Sequence, residues 1–486
     1  MRPKFHLLDD ILAERIIAEA RILLAEVGME VQDEETRALF AEHGAVVDGT
    51  DGRVKIGEEL VESALDSVPS SFSLHDVLGE ETHRFARDRV HFTPGSAAIN
   101  ILDNTTGKIR PPDTTDYIAL TKVVSGLERF EAQSTALVPA DVPEAVSDSY
   151  RLFLSLLYCE KPVVTGAFTV EGFSVMRDLL LAVRGSASEL AAKPLAIFTC
   201  CPTSPLKWTV EGSRNLLDCA RAGVPAEIVP VPLTGFMAPV TLVGTLVQHT
   251  TEVLSGVVLA QLANPGCPLL FGGSPAIFDI RFETTPMGAV ETTMLTCAAA
   301  EVGRRLGLPT QGYIALSDAK ALDAQAGLET SMGATLAALS GIDSVSGPGM
   351  LDFESCQSLE KLVVDHEICR MTDRLAAGIE PREDFPARPL FEELLAEGHL
   401  LIADHTRRHL REELSFPGPV IDRTSRARWL EEGASTVGER AAAEVERLLA
   451  DFNPSRLGAD KRQELEAVMT VAARACGMDE LPEREE

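Results

Sequence analysis

The amino-acid sequence predicts an α/β fold, a (β/α)8 TIM barrel with an N-terminal helical and hairpin extension and a C-terminal helical extension. The first observation behind this prediction is a regular rhythm from residue 90 onwards, in which short apolar or β-branched runs alternate with longer helical stretches. Eight such units fit within roughly 290 residues, and barrels of this kind usually take about 250 residues or more. The second observation concerns the competing open, doubly wound sheet, which is expected to carry a glycine-rich first turn. No GxGxxG or Walker A sequence occurs in the chain.

Each predicted strand is a short apolar run, and each predicted helix is the stretch that follows it. The predicted strands are residues 90–93, 130–138, 162–168, 195–200, 226–231, 268–271, 310–314 and 342–346. The predicted helices are residues 114–126, 145–159, 172–184, 206–221, 240–263, 287–306, 323–340 and 356–376. Several are amphipathic, as the spacing of Met332, Leu336 and Leu339 indicates.

The two flanking segments lack the alternation of strands and helices that the central segment shows. Before residue 86, apolar residues at spacings of three and four predict a helix that stops at Gly28, and residues 33–43 predict a second helix. Residues 45–56 predict a hairpin with its turn at residues 48–52. After residue 380 the sequence is highly charged and predicts helices that are separated by prolines. We therefore expect an extension at 1–85, a catalytic barrel at 86–380 and an extension at 381–486.

The charge and cysteine content exclude some classes of protein. The 486 residues include 44 basic and 74 acidic side chains, which gives a net charge of −30. This excess of acid disfavours binding to a nucleic-acid backbone or to an anionic membrane surface. Nine cysteines at irregular spacing are typical of reduced thiols. With no apolar leader and no run of 18 apolar residues, the protein is expected to be soluble and cytoplasmic.

The ends of the predicted strands indicate where chemistry is expected. In a barrel, functional groups follow the carboxyl ends of the strands. Here those positions are rich in glycine and other small residues, which indicates a wide mouth that a large group can enter. The alternative, that the glycines only form turns between strands and helices, stays open.

Known catalytic constellations are weak or missing in the sequence. A zinc site is disfavoured, because Cys200 and Cys201 are adjacent and point to opposite faces of a strand, and no histidine follows a strand. No GxSxG elbow is present. Lys320 is in position for a Schiff base, but a solvated side chain is favoured. Gln325 and Glu329, four residues apart on one predicted helix, either line a pocket or form an exposed first turn.

Four blocks of sequence resemble a known family. They are "EVGMEVQDEETRALFAEHGAVVDGTDGRVKI" near the N-terminus, "FTPGSAAINILD" at the first strand end, "SDAKALDAQAGLE", and "GPGMLDFESCQSLEKLVVDHEICRM" after the last strand. Together they resemble the trimethylamine methyltransferase superfamily over roughly residues 10 to 380. Members are (β/α)8 barrels that move a methyl group from a methylated amine to the cobalt of a corrinoid protein, so the resemblance implies that fold and reaction here.

The resemblance points to one branch of this family. Trimethylamine enzymes carry pyrrolysine inside the barrel, and this sequence contains none. The pyrrolysine-free branch includes glycine betaine methyltransferases and relatives that act on other quaternary amines. We therefore expect methyl transfer from a quaternary amine to Co(I). The leaving group is then a neutral tertiary amine and no proton moves, so orientation and exclusion of water suffice.

The resemblance and the strand-end positions together give candidate site residues. Residues expected to bind the cationic substrate are the aromatics Phe92, Phe168, Phe236 and Tyr313 and the polar residues Asp318, Gln325, Glu329 and Asp352. If the substrate is a betaine, His366 is the expected donor to its carboxylate. Residues expected to face the corrinoid are Gly95, Ser96, Gly273, Ser274, Gly347 and Met350. No catalytic side chain and no resident metal is expected.

Partners and alternatives follow from the same resemblance. The corrinoid, a cobalamin, is expected to be supplied by a partner corrinoid protein and not to be bound by the chain itself. The C-terminal extension is expected to serve self-association into a homo-oligomer or docking of that partner. Two other functions stay open: a trimethylamine enzyme without pyrrolysine, and a non-catalytic protein that binds a quaternary amine or a corrinoid.

Overall fold

The N-terminal segment is a small helical layer with two hairpins. In the computed structural model, which describes residues 3–49, 51–87, 89–104 and 106–484, this segment contains α1 (Asp10–Glu26), β1 (Met29–Val31), α2 (Glu34–Glu42), β2 (Val46–Val47), β3 (Arg53–Lys55), α3 (Glu58–Ser67), β4 (Phe72–His75) and β5 (Glu81–Phe85). Both predicted helices and the β2–β3 hairpin are confirmed, although Thr50 of the predicted turn lies outside the described residues. Gly28 ends α1 at φ 76°, where an added Cβ would lie 2.4 Å from the Val54 carbonyl oxygen.

The central segment alternates strands and helices along the chain. Its elements are β6 (His91–Thr93), β7 (Asn100–Asp103), β8 (Lys108–Arg110), α4 (Thr114–Gly126), β9 (Gln133–Ser134), α5 (Glu144–Tyr158), β10 (Val163–Thr165), α6 (Val170–Arg184), α7 (Ala187–Ala192), β11 (Ala196–Cys200), β12 (Lys207–Trp208), α8 (Val210–Ala222), β13 (Ala226–Ile228), β14 (Leu233–Thr234), α9 (Leu242–Ala263), β15 (Leu269–Phe271), β16 (Ala276–Ile277), α10 (Val290–Arg305), β17 (Gln311–Tyr313), α11 (Ala324–Ser340), β18 (Ser344–Ser346), β19 (Met350–Leu351), β20 (Cys356–Gln357) and α12 (Leu359–Ala376).

The eight predicted strands and eight predicted helices all form. The largest shift is at α8, which was predicted from residue 206 and begins at Val210. The preceding residues are extended instead, because β12 pairs in parallel with β1, with Lys207 opposite Glu30 and Trp208 opposite Val31. This pairing attaches the N-terminal segment to the central one.

The main strands of the central segment form two parallel sheets, beside the smaller β14-β16 and β19-β20-β7-β8 sheets. One has the strand order β15-β13-β11-β10-β9 and the other has the order β17-β18-β6. Two further parallel contacts join the edges of these sheets, between Phe92 and Phe130 and between Phe271 and Thr310. Neighbouring strands therefore follow chain order, and all their carboxyl ends lie on one side.

The amino-terminal ends of the strands are covered by the β4–β5 hairpin. Phe72, Leu74 and Phe85 of the hairpin pack against Ile197 of β11 and Leu270 of β15 in a cluster separate from the main core. The inner side chains of β11 and β15 therefore face the hairpin, whereas the main core lies between strands and helices. With the amino-terminal ends covered, access to the inner face is from the carboxyl ends.

The C-terminal segment contains α13 (Arg388–Glu397), α14 (Asp404–Glu413), α15 (Arg426–Glu431), α16 (Val437–Ala450) and α17 (Ala459–Ala475). The last two helices pack on the central segment, α16 against α4 and α12 and α17 against α5 and α6. Leu448 of α16 fills the space beside Gly126, where an added Cβ would lie 2.7 Å from its Cδ2 atom. By contrast, α13, α14 and α15 bury no residue fully.

Helix α9 is long and apolar enough to cross a membrane by length and composition, the one such helix among the described residues. It lies inside the protein, with most of its apolar stretch buried. It packs against α1, α3, α8 and α10.

The nine cysteines are free thiols, and seven of them are buried.

Candidate functional site

A cavity of about 290 Å³ opens at the carboxyl ends of the parallel strands. This volume is at the small end for ligand pockets and suits a small molecule. Its walls come from the loops after β6, β10 and β11, from β17 and from α5 and α8. The residues that line it are Ser96, Ala97, Thr135, Arg151, Gly166, Ala167, Phe168, Thr199, Cys200, Cys201, Thr209, Glu211, Gly212, Asn215 and Tyr313.

A buried carboxyl group lies behind one wall of this cavity. Glu227 of β13 is opposite Thr199 of β11 in the strand register and is 0% exposed. Its Oε1 atom accepts a hydrogen bond from the Thr199 hydroxyl over 2.6 Å, and its Oε2 atom is buried without a partner. Burial raises the pKa of Glu227 to about 7. A carboxyl group kept in this state favours any cation that comes close enough to pair with it.

A second carboxyl group lies near the same place, in the segment that follows β18, at the turn between β19 and β20. Tyr313 lies next to Thr199, and its phenol is raised in pKa by burial and by the charges of Glu227 and Glu354. Burial, followed by the charge of Asp318, raises the pKa of Glu354 to about 8. The Oε1 atom of Glu354 is buried without a partner. Glu227 and Glu354 therefore each keep one buried oxygen atom without a hydrogen-bond partner, and both lie close enough to Tyr313 for their charges to raise its pKa.

The backbone that presents Glu354 is strained. Asp352, Phe353 and Glu354 have φ values of 48°, 57° and 67°, a left-handed turn without glycine. Lys320 stabilises the turn, with its Nζ atom 3.7 Å from the centre of the Phe353 ring and 3.6 Å from Asp352. The site is thus held by contacts that offset an unfavourable local conformation.

A buried ion pair anchors the start of the same loop. Lys361 and Asp365 of α12 are both almost fully buried and pair with each other. Asp365 Oδ2 also accepts the backbone N–H of Gly349 over 2.7 Å, and Lys361 Nζ donates to the Thr330 hydroxyl over 2.9 Å. These bonds fix the loop after β18 to two helices.

The other end of the cavity carries a guanidinium. Arg151 of α5 is 1% exposed, donates to the Thr135 carbonyl oxygen over 3.2 Å and pairs with Asp148 at 3.3 Å. Its guanidinium carbon lies 4.6 Å from the centre of the Phe168 ring. Asn215 donates to the Ala167 carbonyl oxygen over 2.8 Å. Arg151 and Phe168 therefore form one part of the cavity wall, and Thr199 and Tyr313, with Glu227 buried behind Thr199, form another part.

Some of the predicted substrate-binding residues reach the cavity or its surroundings. Tyr313 lines it, and Phe168 lines it with 49% of its surface exposed, although its ring faces Arg151. Asp352 contributes to the turn that presents Glu354. The predicted corrinoid-facing residue Ser96 also lines the cavity.

Asp318, Gln325 and Glu329 form a hydrogen-bonded group beside the cavity. Asp318 accepts the backbone N–H groups of Met287 and Gly288 over 2.8 and 2.9 Å, and burial raises its pKa to about 6. Glu329 accepts the Ser317 hydroxyl and the Asp318 N–H, and Gln325 donates to it over 2.9 Å. These bonds join the segments before α10 and before α11, and Gln325 is exposed in the first turn of α11, so their part in substrate binding stays a prediction.

Three predicted residues lie away from the cavity. Phe92 is fully buried in the core between strands and helices. Phe236 is 64% exposed and stacks on Phe278, outside the cavity wall. His366 accepts the backbone N–H of Arg129 over 3.2 Å and packs on Phe130, near the start of a strand; burial lowers its pKa to about 3. The expectation that His366 binds a substrate carboxylate is revised, because it lies at the amino-terminal ends of the strands.

At the glycines predicted to face the corrinoid, atoms of neighbouring residues occupy the space that a side chain would need. A Cβ added to Gly95, Gly273 or Gly347 would lie about 2 Å from Met350, His249 or the Ile314 carbonyl oxygen respectively. These glycines are buried, as are Ser274 and Met350. The interpretation that they give a corrinoid close access to the backbone is corrected: their missing side chains are required by packing within the protein.

Four residues were not predicted as site residues: Glu227, Glu354, Arg151 and Asn215. A signal existed for Glu227, which is the one charged residue in the predicted strand 226–231, where a charge is rarely buried. Arg151 follows the polar residues Ser147, Asp148 and Ser149 in α5, so the sequence gives no comparable signal for it. Glu354 lies in an irregular loop, and no sequence pattern specifies a left-handed turn of three non-glycine residues.

Other features of the molecule do not compete with this site. A larger cavity of about 580 Å³ is lined by Arg89, Arg129 and Arg370. Arg89 and Arg129 pair with Glu131, and Arg370 pairs with Glu367. Within the part of the chain that the structure describes, no three histidine, cysteine or carboxylate side chains are grouped to hold a metal ion.

Comparison with known proteins identifies similar chains. The family model described as trimethylamine methyltransferase (MTTB) matches residues 1–477. A trimethylamine methyltransferase MttB from Methanosarcina barkeri (strain Fusaro / DSM 804) is 31% identical over 93% of this chain and 92% of its own length. A glycine betaine methyltransferase from Desulfitobacterium hafniense (strain Y51) is 29% identical over 98% of both chains.

A solved structure is also similar over most of its length. The crystal structure of the Methanosarcina barkeri monomethylamine methyltransferase (MtmB) aligns with 98% of this chain and 96% of its own, with a TM-score of 0.45 and 11% sequence identity.

Proposed function

The chain belongs to the trimethylamine methyltransferase family, and from this premise we propose that it transfers a methyl group from a quaternary amine, such as glycine betaine, to the Co(I) of a corrinoid carried by a partner protein. The observation that carries the proposal is the pair of carboxyl groups, Glu227 and Glu354, with oxygen atoms left unpaired around Tyr313. A cation is the ligand that such a wall favours.

A quaternary ammonium fits this wall better than a hydrogen-bonding cation does. It has no N–H to donate, so it is held by charge and by aromatic faces. Glu227 and Glu354 supply the charge, and the Tyr313 ring supplies the aromatic face. The carboxyl groups ionise when the cation enters, because its charge offsets the cost of their burial.

The chain's residues have little covalent chemistry to perform. The C–N bond breaks with its electron pair left on nitrogen, so the leaving group is a neutral tertiary amine. The reduced corrinoid supplies a strong nucleophile when it is present. The protein then needs to orient one N-methyl group towards the opening of the cavity and to exclude water, so the reaction requires no nucleophile–base pair from the chain.

We propose that the scaffold is a closed (β/α)8 barrel. The order of the parallel strands and the two contacts that join the sheet edges support closure. In this scaffold the cavity lies at the carboxyl ends of the strands, the usual position of barrel active sites. Residues 86–380 are the proposed catalytic domain, with 1–85 and 381–486 as extensions.

The cavity holds a small amine and not the corrinoid itself. Its 290 Å³ are too small for a macrocycle, and the proposed corrinoid-facing glycines are buried. Of the residues predicted to face the corrinoid, Ser96 keeps that proposed position, at the cavity wall. The proposed arrangement is a substrate held in the cavity and a corrinoid protein, in the cytoplasm, that meets its opening.

Trimethylamine is the second candidate substrate, because several of the similar proteins carry that name. Trimethylamine is protonated at neutral pH, so its N–H would donate to the free oxygen of Glu227. Transfer of a methyl group from this cation would leave neutral dimethylamine, so the charge balance is the same as for a quaternary amine. The quaternary amine is favoured because the chain contains no pyrrolysine, the residue that trimethylamine enzymes carry inside the barrel.

The test is an anaerobic assay with purified protein, Co(I) cobalamin and a panel of methylated amines, followed by the absorbance of the corrinoid. Demethylation of a quaternary amine but not of trimethylamine supports the proposal. Demethylation of trimethylamine alone supports the second candidate. Binding of amines without any transfer would identify the chain as a binding protein.

A further inference from the structure

We propose that the cavity is a two-ended site in which Arg151 binds the carboxylate of the substrate, so that the substrate is a betaine-type zwitterion and not a simple quaternary cation. This inference rests on the proposed function and deepens it. It also replaces His366, which lies at the opposite ends of the strands, as the donor to a substrate carboxylate.

Arg151 is a buried charge with donor capacity to spare. It lines the cavity although it is 1% exposed, and its Nε atom is buried without a partner. Its contacts with the Thr135 carbonyl oxygen and Asp148 are long, at 3.2 and 3.3 Å. Asp148 is also engaged elsewhere, because its other oxygen accepts the backbone N–H of Phe168 over 2.5 Å. A guanidinium in this state favours a further anion.

The start of α8 adds to the positive character of this end. Thr209, the N-cap of this 13-residue helix, and Gly212 both line the cavity. A helix N-terminus carries partial positive charge, which favours an anion here although the Gly212 N–H itself donates to the Thr209 hydroxyl. Glu211, the acidic residue among those that line the cavity, is exposed, so water screens its charge.

The two ends match the two charges of a betaine. Tyr313 and Thr199, with Glu227 and Glu354 beside them, form the end that favours an ammonium group. Arg151 and α8 form the end that favours a carboxylate. A ligand with only a trimethylammonium group satisfies the first end and leaves the second unpaired, whereas a short zwitterion satisfies both within 290 Å³.

The test compares two ligands that share a trimethylammonium group and differ in one feature. Glycine betaine carries a carboxylate, and choline carries a neutral hydroxyl. Their dissociation constants are measured by titration calorimetry on the wild type, Arg151→Met and Arg151→Lys. We expect Arg151→Met to raise the dissociation constant of glycine betaine about 10- to 100-fold and to change that of choline less than about threefold. Arg151→Lys, which keeps the charge, is expected to recover part of the loss.

Two further variants separate recognition from folding. Arg184→Met removes a guanidinium that donates to the carbonyl oxygens of His75 and Asp76, far from the cavity. This variant is expected to leave the affinity for both ligands unchanged. Asn215→Asp places a negative charge at the Arg151 end. It is expected to weaken the binding of glycine betaine at least about tenfold and to change the binding of choline by less than about threefold. This variant tests the role of Arg151 if Arg151→Met does not fold.

The outcomes distinguish this inference from the proposed function. Selective loss of glycine betaine binding supports the two-ended site. Equal loss of both ligands, or unchanged preference in Asn215→Asp, overturns the role of Arg151 while methyl transfer by the wild type would still stand. If the wild type transfers methyl groups from neither ligand and binds neither, the proposed function falls and this inference falls with it.

Discussion

The Thr199 hydroxyl donates to Glu227 across neighbouring parallel strands over 2.6 Å and leaves the second carboxyl oxygen of Glu227 buried without a partner. This arrangement is costly for the fold, because an ionised carboxylate away from water requires full pairing. Buried polar atoms left unpaired are rare in folded proteins, and this one lies behind Thr199, which lines the cavity at the carboxyl ends of the strands. The relationship between these two residues therefore indicates a site that the substrate completes.

Replacing Glu227 with glutamine is expected to have opposite effects on stability and binding. Glu227→Gln keeps the shape and a hydrogen bond with Thr199 but removes the charge. Because the pKa of Glu227 is raised to about 7 in the folded state, the wild type is expected to lose stability as the pH rises from about 4.5 through 7, and this loss is complete at pH 8. The free energy of unfolding at pH 8 is expected to rise by roughly 1 to 3 kcal/mol, as measured by urea unfolding. Affinity for choline is expected to fall about tenfold or more. A variant that is both less stable and unchanged in affinity would show a structural role instead.

The pH dependence of binding is expected to report Glu354. Its pKa is raised to about 8, so the carboxyl group is largely neutral at pH 7 and ionises as the pH rises. Affinity for a quaternary ammonium is therefore expected to increase between pH 6.5 and about 8.5, with proton release on binding near neutrality. Calorimetry in buffers of different ionisation enthalpy measures that release.

Glu354→Gln is expected to reduce the proton release and flatten the rise in affinity. Stability gives an independent check with a defined sign: the wild type is expected to lose stability as the pH rises from about 4.5 through 8, and the variant to lose less. Glu171→Gln, at an exposed residue of α6, is the control and is expected to leave both profiles unchanged. Equal profiles in wild type and Glu354→Gln would contradict this assignment.

The buried Lys361–Asp365 pair is expected to behave as one unit. Lys361→Met leaves the carboxylate of Asp365 buried and is expected to lower the free energy of unfolding by about 3 to 5 kcal/mol. The double variant with Asp365→Leu is expected to lose less than the sum of the two single variants, a coupling that urea unfolding of all four proteins measures. Additive losses would show that the two residues act separately.

The C-terminal segment is expected to divide into an integral part and a peripheral part. Leu448→Asp places a charge in the contact between α16 and α4, and is expected to cost about 2 to 4 kcal/mol of stability. Leu395→Asp, at an 82% exposed residue of α13, is the matched control and is expected to stay within about 0.5 kcal/mol. A similar loss in both variants, measured by thermal unfolding, would contradict the division.

The order of strands and helices was predictable from the sequence because it depends on local patterns of apolar residues. Most of the predicted bounds agree with the structure to within a few residues. The shift at α8 has a non-local cause, since Lys207 and Trp208 are extended by pairing with β1. Such pairing depends on residues almost 180 positions away, which a local pattern does not record.

The site was harder to predict because its residues are distinguished by how deeply their side chains are buried. Their position after a strand in the sequence does not identify them. Phe92 and Gly273 follow the strand-end rule and are nevertheless buried in packing. Glu227 lies within a strand, and Glu354 depends on a left-handed turn held by Lys320. Glu227, a charged residue in an apolar run, was the stronger signal.

The most direct measurement is the rate of methyl transfer to Co(I) cobalamin from glycine betaine in a single anaerobic turnover, with the wild type and Glu227→Gln at saturating substrate. The account predicts transfer by the wild type, none from trimethylamine, and a rate at least about tenfold lower in Glu227→Gln, since one charge that holds the ammonium in place is lost. Transfer at equal rates by both proteins, or no transfer from any quaternary amine, would contradict it.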